Sequence, residues 1–139
     1  MKEKIEVWNI FHDGSIVNIQ GSLPDLVLTI EILYLRHMFS KDGESILVRL
    51  RNCSIFEYQD FDSNTQISNF SEVATLEPEI LSVQEIDGLA QILCVSGNLR
   101  IKYKDISFEL DNGSSVDIPE LDKACNEYWD KWSTGHYRD

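Results

Sequence analysis

This sequence has no long apolar segment. Its longest apolar run, residues 26–35, is interrupted by Thr29 and Glu31 and is too short to cross a bilayer. No positively charged segment followed by an apolar stretch opens the chain, as a secretory signal would require. We therefore expect a protein that has no membrane partner and stays in the cytoplasm.

Cysteine, proline and glycine are also scarce, with three, three and seven residues among 139. The cysteines, Cys53, Cys94 and Cys125, are far apart, and each lies in an apolar pattern. We expect them to be small buried thiols in a reducing compartment, with no disulfide. Because 42% of the residues are hydrophobic and no low-complexity tract occurs, the chain should form one domain with its own core, residues 1–139.

Basic residues are few, since 12 Lys and Arg face 24 Asp and Glu, for a formal net charge of −12. Phosphate binding needs clustered Lys and Arg, so we expect no nucleic-acid ligand. No basic residue lies between Arg51 and Arg100, and this acidic segment is the predicted partner-binding surface. Its acids are Glu57, Asp60, Asp62, Glu72, Glu77, Glu79, Glu85 and Asp87. Solubility alone is the other explanation of the imbalance, and both stay open.

The residue patterns of common catalytic and metal sites are missing. His12, His37 and His136 are far apart, and neither a Cys-x-x-Cys nor a His-x-x-x-His pair occurs, so no metal is expected. The chain has no Gly-x-Ser-x-Gly turn and no glycine-rich phosphate loop, so no cofactor is expected. These absences favour a protein that is not an enzyme, although a catalytic pair assembled from distant positions stays open.

Turn signals separate short alternating runs along most of the chain. The dipeptides Asp13-Gly14, Asp42-Gly43, Asp87-Gly88 and Asn112-Gly113 are typical of tight β-hairpin turns. Between them, alternation of apolar and polar residues predicts eight or nine strands with one buried face. The strands cover residues 4–11, 15–21, 26–34, 45–51, 53–59, 79–86, 89–95, 99–104 and 106–110. Residues 62–78 are predicted to form a short helix or an ordered loop.

The period changes near the C-terminus. Apolar residues recur at helical spacing from Leu121 to Trp132, with charged residues on the other side. Asp117 and Glu120 have the spacing of an N-terminal capping pair, and Gly135 is the expected end of the helix. The predicted fold is mainly β, in the α+β class. We expect an antiparallel, hairpin-rich sheet, closed as a sandwich or a partly closed barrel, with one C-terminal amphipathic helix packed on it.

The segment "WNIFHDGS", residues 8–15, places a histidine beside an aspartate. Asp13 and Gly14 indicate a turn, which His12 is expected to fix through a hydrogen bond, with Trp8 and Phe11 packed below. The longer segments "WNIFHDGSIVNIQ" and "LVLTIEILYLR" resemble the opening of small bacterial families similar to the immunity proteins of polymorphic and contact-dependent toxin systems. This resemblance covers about the first quarter of the chain. It lies in Trp8, Phe11, His12, Asp13 and Gly14 and in the apolar positions of the next two strands.

The resemblance implies a non-enzymatic protein that binds and blocks a cognate toxin domain, and an acidic protein suits a basic toxin. Two alternatives stay open. One is a small-molecule or enzymatic site in a sheet-lined pocket, with the polar candidates His12, Asp13, Arg36 and His37. The other is a homodimer formed through the aromatic residues Trp129, Trp132 and Tyr137.

Overall fold

The computed structural model describes residues 2–133, and its core lies between two antiparallel five-stranded sheets. Sheet I consists, in spatial order, of β1 (Ser15–Ser22), β2 (Asp25–Glu31), β3 (Ser45–Arg51), β9 (Asp105–Leu110) and β10 (Ser115–Val116). Sheet II consists of β5 (Thr65–Ile67), β4 (Ile55–Asp60), β8 (Gly97–Lys102), β7 (Leu89–Cys94) and β6 (Ile80–Ile86). The helices are α1 (Lys2–Glu6), a 3₁₀ helix (Val7–Phe11), α2 (Leu33–Arg36), α3 (Phe70–Leu76) and α4 (Ile118–Ser133). The predicted α+β class is confirmed, and the sheets form a partly open sandwich.

Alternation places one side of sheet I in the core. On β2 the side chains of Leu26, Leu28 and Ile30 are fully buried, and the residues between them are partly exposed. β2 pairs with β3 so that Leu28 lies opposite Val48, and β3 pairs with β9 so that Val48 lies opposite Phe108. Opposite residues of paired strands share a face, so the apolar side chains of three strands form one layer.

Sheet II contributes the second layer in the same way. Tyr58 of β4 and Ile92 of β7 both lie opposite Leu99 of β8, and all three side chains are fully buried. β8 begins at Gly97, where a Cβ atom would lie 2.4 Å from the carbonyl oxygen of Gln59 and 2.5 Å from the Tyr58 hydroxyl. Glycine is therefore required here by the close approach of β4.

The N-terminal segment is helical, so the strand predicted over residues 4–11 is wrong. α1 continues directly into the 3₁₀ helix, whose buried residues are Val7, Trp8, Ile10 and Phe11. Buried positions with this spacing share one face of a helix, whereas a strand would bury every second residue. The indole N–H of Trp8 donates to the hydroxyl of Tyr103 at 3.0 Å, which joins the segment to the β8–β9 turn.

The connection between β2 and β3 also differs from the prediction. β2 ends at Glu31 and α2 follows, so the strand predicted over residues 26–34 is too long. Asp42-Gly43 lies in the loop of residues 37–44 rather than in a hairpin turn, so that turn prediction is wrong. The reason is Arg36, whose buried guanidinium binds Ser40 and Asp42 of this loop and holds it against the body.

Two of the four turn signals mark hairpins. Asp87 and Gly88 have positive φ angles of 51° and 80° and join β6 to β7, while Asn112-Gly113 joins β9 to β10. Asp13 also has a positive φ of 71°, but it follows the 3₁₀ helix, so its turn does not lie between two strands as predicted. A dipeptide that tolerates this backbone conformation therefore indicates a reversal of the chain without specifying what precedes it.

Helices close the sides of the sandwich. Residues 62–78 form β5 and α3, and Val73 of α3 is fully buried while Phe70 lies edge-on to Phe56. A backbone bridge between Ser15 and Glu79 joins the start of β1 to the start of β6 and so links the two sheets.

The C-terminal helix begins as predicted. The carboxylate of Asp117 accepts from the Glu120 N–H at 2.8 Å, and the carboxylate of Glu120 accepts from the Asp117 N–H at 3.0 Å. Leu121 is fully buried, and α4 packs on the sandwich through the 3₁₀ helix and α2. The expected helix end at Gly135 lies outside the described residues. No helix within residues 2–133 is long and apolar enough to cross a membrane.

Candidate functional site

The His-Asp motif is bound to the backbone of a neighbouring strand. Nδ1 of His12 lies 2.7 Å from the carbonyl oxygen of Leu81, and Nε2 lies 3.3 Å from a carboxylate oxygen of Asp13. Since a carbonyl oxygen only accepts, Nδ1 carries the proton of the first bond. Trp8 and Phe11 are fully buried, as predicted. The hydrogen bond expected of His12 exists, and it joins the turn to β6.

This bond helps to cover an edge of sheet II that would otherwise be exposed. β6 is an edge strand, and the side-chain oxygen of Asn9 accepts from the Val83 N–H at 3.0 Å, close to the bond from His12 to Leu81. These two side chains, together with the backbone hydrogen bonds from Asp13 to Ile80 and from Ile80 to Gly14, take the place of a neighbouring strand. An uncovered strand edge is a template for pairing with another chain, so this motif closes a site of unwanted association.

A depression of about 490 Å³ lies beside the motif, between the start of β1 and α2. Its lining residues are Asp13, Ser15, Glu31, Ile32, Leu33, Tyr34, His37 and Glu44. Nε2 of His37 lies 3.0 Å from the carbonyl oxygen of Gly43, so this imidazole also donates to backbone. The lining contains Asp13 and His37 but not His12, so the structure does not bring the two histidines together there.

Tyr34 at this depression is a fixed, neutral residue. Its hydroxyl donates to the carbonyl oxygen of His12 at 2.6 Å. Burial, followed by nearby Cys125 and Asp13, raises the pKa of the Tyr34 hydroxyl, which therefore stays protonated near neutral pH. The residue holds the turn in place.

Arg36, the remaining polar candidate, is inside the protein. Its side chain is fully buried, and Nε donates to Asp111 at 2.8 Å while one terminal nitrogen donates to Asp42 at 2.7 Å. The other terminal nitrogen donates to the carbonyl oxygen of Ser40 at 2.9 Å. This guanidinium joins α2, the loop of residues 37–44 and the β9–β10 turn, and it is not presented to a ligand.

Reactive side chains are protected as well. Burial raises the pKa of Cys94 to about 12, and burial also raises the pKa of Cys53 and of Cys125. Neutral thiols are weak nucleophiles, so none of the three has the environment of a catalytic cysteine. Within residues 2–133, no group of three or more His, Cys, Asp or Glu side chains is arranged to hold a metal ion.

The predicted partner-binding acids occupy several separate places. Asp60 is buried, and its carboxylate accepts from the N–H and the hydroxyl of Ser63 at 3.0 and 2.6 Å, which closes the β4–β5 turn. Glu57 lies opposite Arg100 on the outward side of sheet II, and Glu72 lies on α3. These three acids therefore have local surroundings that differ from one another.

The other five predicted acids divide between two ends of sheet II. Glu85 and Asp87 lie at the β6–β7 hairpin, whereas Glu77 and Glu79 precede β6 and Asp62 follows β4. Ile80, at the start of β6, lies opposite Cys94 at the end of β7, and β6 then runs away from that end for about 20 Å. Acids that lie in one segment of the sequence are thus separated in space by the length of β6.

Exposed apolar residues accompany the second group of acids, where the β4–β5 and β7–β8 turns meet. The Phe61 N–H donates to the carbonyl oxygen of Ser96 at 2.9 Å, and the Val95 N–H donates to that of Glu79 at 3.0 Å. The side chains of Phe61, Leu93 and Val95 are 48%, 40% and 61% exposed. We call the residues Phe61, Asp62, Glu79, Leu93 and Val95 the turn-end surface.

The sequence prediction included the two acids of this surface but missed its apolar residues. Ile92 and Cys94 are buried on β7, so Leu93 occupies an outward position, and Val95 follows with the same alternation. Outward positions of a half-buried strand are normally polar. The unbroken apolar run of residues 92–95 is the signal that could have identified the surface.

Comparisons with known proteins give no family. No family model matches the chain, and no curated protein matches it. A crystal structure of an uncharacterized protein from Neisseria gonorrhoeae is similar over 71% of this chain and 92% of that chain, with 16% sequence identity and a TM-score of 0.43. At this identity and TM-score, the likeness assigns neither a family nor a function.

Proposed function

We propose that this protein is a cytoplasmic, non-enzymatic inhibitor that binds a basic protein through the turn-end surface. One observation carries the proposal: the exposed residues Phe61, Leu93 and Val95 lie at one end of sheet II, where backbone hydrogen bonds join the β4–β5 turn to the β7–β8 turn and Val95 to Glu79. Asp62 directly follows Phe61 at this end. These five residues belong to residues 52–99, a segment that contains no Lys or Arg. Exposed apolar residues beside charges of one sign are the feature that a partner of opposite charge complements.

Interface physics supports this use of the surface. Protein interfaces combine an apolar core with a polar rim, and covering exposed apolar area favours association. The carboxylates add long-range attraction, which accelerates encounter with a positively charged partner. With a net charge of −12, a second copy of this chain would be repelled. A basic partner is therefore favoured over a homodimer at this surface.

The inhibitory role rests on the resemblance of the opening segment to immunity proteins. Those proteins act by occupying a toxin domain. A toxin that cuts nucleic acid needs Lys and Arg to bind phosphates, so its surface is basic. The partner that we propose is accordingly a basic toxin domain, and a toxin gene beside this gene would support the assignment.

No observation favours the alternative of a small-molecule or enzymatic site at His12 and His37. Each imidazole donates to a backbone carbonyl, from His12 to Leu81 and from His37 to Gly43. Only His37 lines the adjacent depression. A pair of imidazoles engaged in this way is arranged to hold two chain segments in place.

The test starts from the tagged chain, expressed in cells of the organism from which it comes. The protein that it retains is identified, purified and titrated with the chain by calorimetry. We expect a complex of equal stoichiometry with a protein of positive net charge, whose toxic activity falls as the chain is added. Failure to retain any basic protein would contradict the proposal.

A pair of matched double variants then locates the surface. Val95→Ser with Asp62→Asn should weaken the complex about tenfold or more, because central interface residues dominate affinity. The control is Ile86→Ser with Glu85→Gln at the opposite end of sheet II, where Ile86 is also exposed. If both variants weaken the complex equally, or if neither variant weakens it, the partner does not use the turn-end surface.

A further inference from the structure

The β9–β10 turn contains Asn112-Gly113, a pair that occurs once in the sequence. The Gly113 N–H donates to the carbonyl oxygen of Leu110 at 2.9 Å, and Gly113 has a positive φ of 95°, a backbone conformation that favours glycine. Both residues of the pair are exposed to solvent. The turn lies on other elements than the turn-end surface, and the inference below does not rest on the proposed function.

Asparagine is a thermolabile residue, and it is most reactive when a glycine follows it. The backbone nitrogen of the glycine attacks Cγ of the asparagine side chain, and the amide group leaves as ammonia after taking the proton of that nitrogen. The product is a cyclic succinimide. Water then opens the ring to aspartate or to isoaspartate, whose main chain runs through the former side chain. Glycine favours the attack because it has no side chain beside the reacting nitrogen.

The structure leaves space for the succinimide ring. A Cβ atom placed on Gly113 would meet no atom within 4 Å apart from those of its chain neighbours, so nothing crowds the residue that supplies the nitrogen. Because the turn is exposed, water also reaches the ring that has to be opened. Both steps of the reaction are therefore sterically open at this turn.

Hydrogen bonds restrain both reacting groups while the turn is closed. Nδ2 of Asn112 donates to a carboxylate oxygen of Asp42 at 3.1 Å, and Oδ1 accepts from the Ser114 N–H at 2.9 Å. The attacking nitrogen is itself held by its bond to Leu110. The reaction therefore requires local opening of the turn, and removing the bond to Asp42 should accelerate it.

The product adds a negative charge to the Arg36 network. Arg36 already pairs with both Asp42 and Asp111, so these three side chains carry one negative charge in excess. A carboxylate at position 112 cannot donate to Asp42 and repels it at hydrogen-bond distance. Isoaspartate also lengthens the main chain of the turn. Since Asp42 belongs to the loop of residues 37–44, both changes weaken the contact that joins this loop to the β9–β10 turn.

We infer that Asn112 is a site of spontaneous deamidation, and that its conversion to a carboxylate releases the loop of residues 37–44 from the β9–β10 turn. The reaction consumes only water and needs no enzyme. The modified fraction therefore grows with the age of the protein. The Arg36 network slows the reaction through Asp42 and is weakened by its product.

Incubation of the folded chain in mildly alkaline buffer, followed by trypsin digestion and mass spectrometry, tests the reaction. The tryptic peptide of residues 105–123 contains Asn112 as its only side-chain amide. We expect this peptide to gain the mass difference between an amide and an acid, and its isoaspartate form to elute separately. The peptide of residues 52–100 contains four asparagines, none of them before a glycine, and should stay unchanged. If Asn112 is modified no faster than those four asparagines, the inference is overturned.

A pair of matched variants tests the protection by the network. Asp42→Ala removes the acceptor of the Asn112 amide and should raise the rate about fivefold, the effect of one net hydrogen bond. The control is Asp25→Ala, which removes an exposed acid at the start of β2 and should leave the rate unchanged. Circular dichroism of each variant shows whether it is folded. Equal rates in the two folded variants would contradict the protection by Asp42.

Variants at position 112 test the release of the loop. Asn112→Asp and Asn112→Ala both lose the donor to Asp42, but only Asn112→Asp adds a charge. Lys41 is the only Lys or Arg in residues 37–44, so brief trypsin treatment of the folded chain cleaves there when the loop opens. Cleavage after Lys41 should be faster in Asn112→Asp at neutral pH. Equal cleavage of the two variants would overturn the release of the loop, even where Asn112 of the native chain is deamidated.

Discussion

Replacing Arg36 by methionine tests how much of the fold depends on one buried guanidinium. The change keeps an unbranched apolar side chain but removes the bonds to Asp111 at 2.8 Å, Asp42 at 2.7 Å and the Ser40 carbonyl at 2.9 Å. These bonds hold together three segments that have no regular pairing with one another. We therefore expect a loss of stability well above that of an ordinary surface substitution.

The size of the loss follows from what the partners retain. Breaking a fully buried ion pair costs about 3–5 kcal/mol, because the remaining charge stays uncompensated. Neither carboxylate here is fully buried: Asp42 is 57% exposed, and Asp111 is 28% exposed and still accepts from the N–H groups of Glu44 and Ser45. We therefore expect Arg36→Met to lower the free energy of unfolding by about 3 kcal/mol, at the lower end of that range.

Urea unfolding provides the assay, and Arg49→Met provides the matched control. Arg49 donates to Glu109 at 2.8 Å, but the two side chains are 40% and 30% exposed. Such a surface pair contributes less than about 1 kcal/mol, so its loss should be small. A cost for Arg36→Met no greater than that for Arg49→Met would refute the reasoning.

The pH dependence gives a second readout of the same network. Hydrogen bonds from Ser40, Asn112 and Arg36 lower the pKa of Asp42. Burial opposes the ionisation of Asp111, but bonds from Glu44 and Arg36 outweigh it and lower the pKa of that carboxyl too. Both groups then stabilise the folded state fully above the unfolded pKa of about 4, and this contribution falls as the pH drops below it. The difference between native chain and Arg36→Met should therefore shrink in acid, and a constant difference would contradict the assignment.

Three other changes test the fold and the motif. Asn9→Ala and His12→Ala should each cost about 1 kcal/mol, the net value of one hydrogen bond, and the double variant should self-associate through β6. Urea unfolding measures the losses of stability, and size-exclusion chromatography measures the self-association. A double variant that stays monomeric would contradict the predicted self-association. Gly97→Ala should cost about 3 kcal/mol in urea unfolding, because its Cβ would lie 2.4 Å from a carbonyl oxygen of β4. An unchanged midpoint would contradict this. A thiol reagent should label half-buried Cys125 before Cys94, whose pKa is about 12, and mass spectrometry showing equal rates would refute that order.

The strands and the C-terminal helix were predictable because each buries one face. Leu26, Leu28 and Ile30 alternate with partly exposed residues, so the two-residue period of a strand is visible in the sequence. The capping pair of α4 was predictable for a similar reason, since Asp117 and Glu120 are only three residues apart and bond each other. Such features depend on neighbours along the chain.

The helical segments were misread where distant contacts decide the local structure. Tyr34 extends the alternation of β2, yet it lies in α2, and Arg36 bonds to Asp111 from that helix. Asp111 is 75 residues away, so no local pattern reveals the pair. Val7 and Ile5 likewise alternate like a strand, although the buried face of residues 7–11 is helical. In both places tertiary contacts override the local period.

The candidate site was predictable only in part, for a topological reason. Charge counting found the acids of residues 52–99, but β6 carries Glu85 away from Glu79 to the opposite end of sheet II. Only the pairing of β6 with β7 shows which acids share an end with Phe61 and Val95. A continuous acidic segment therefore does not define a continuous acidic surface, because the extended strand β6 places Glu79 and Glu85 at opposite ends of the sheet.

The role of "WNIFHDGS" follows from the same pairing. An edge strand such as β6 needs a cover, and a covering strand would itself present a new edge. A helical segment avoids this, because its backbone groups are largely satisfied within the helix. The side chains of Asn9 and His12 reach across to β6, and the turn that follows adds two backbone hydrogen bonds, from Asp13 to Ile80 and from Ile80 to Gly14. The buried Trp8 and Phe11 fix the segment from below. His12 thus serves to cover the edge of sheet II, and we expect a binding function on surfaces that lie outside this motif.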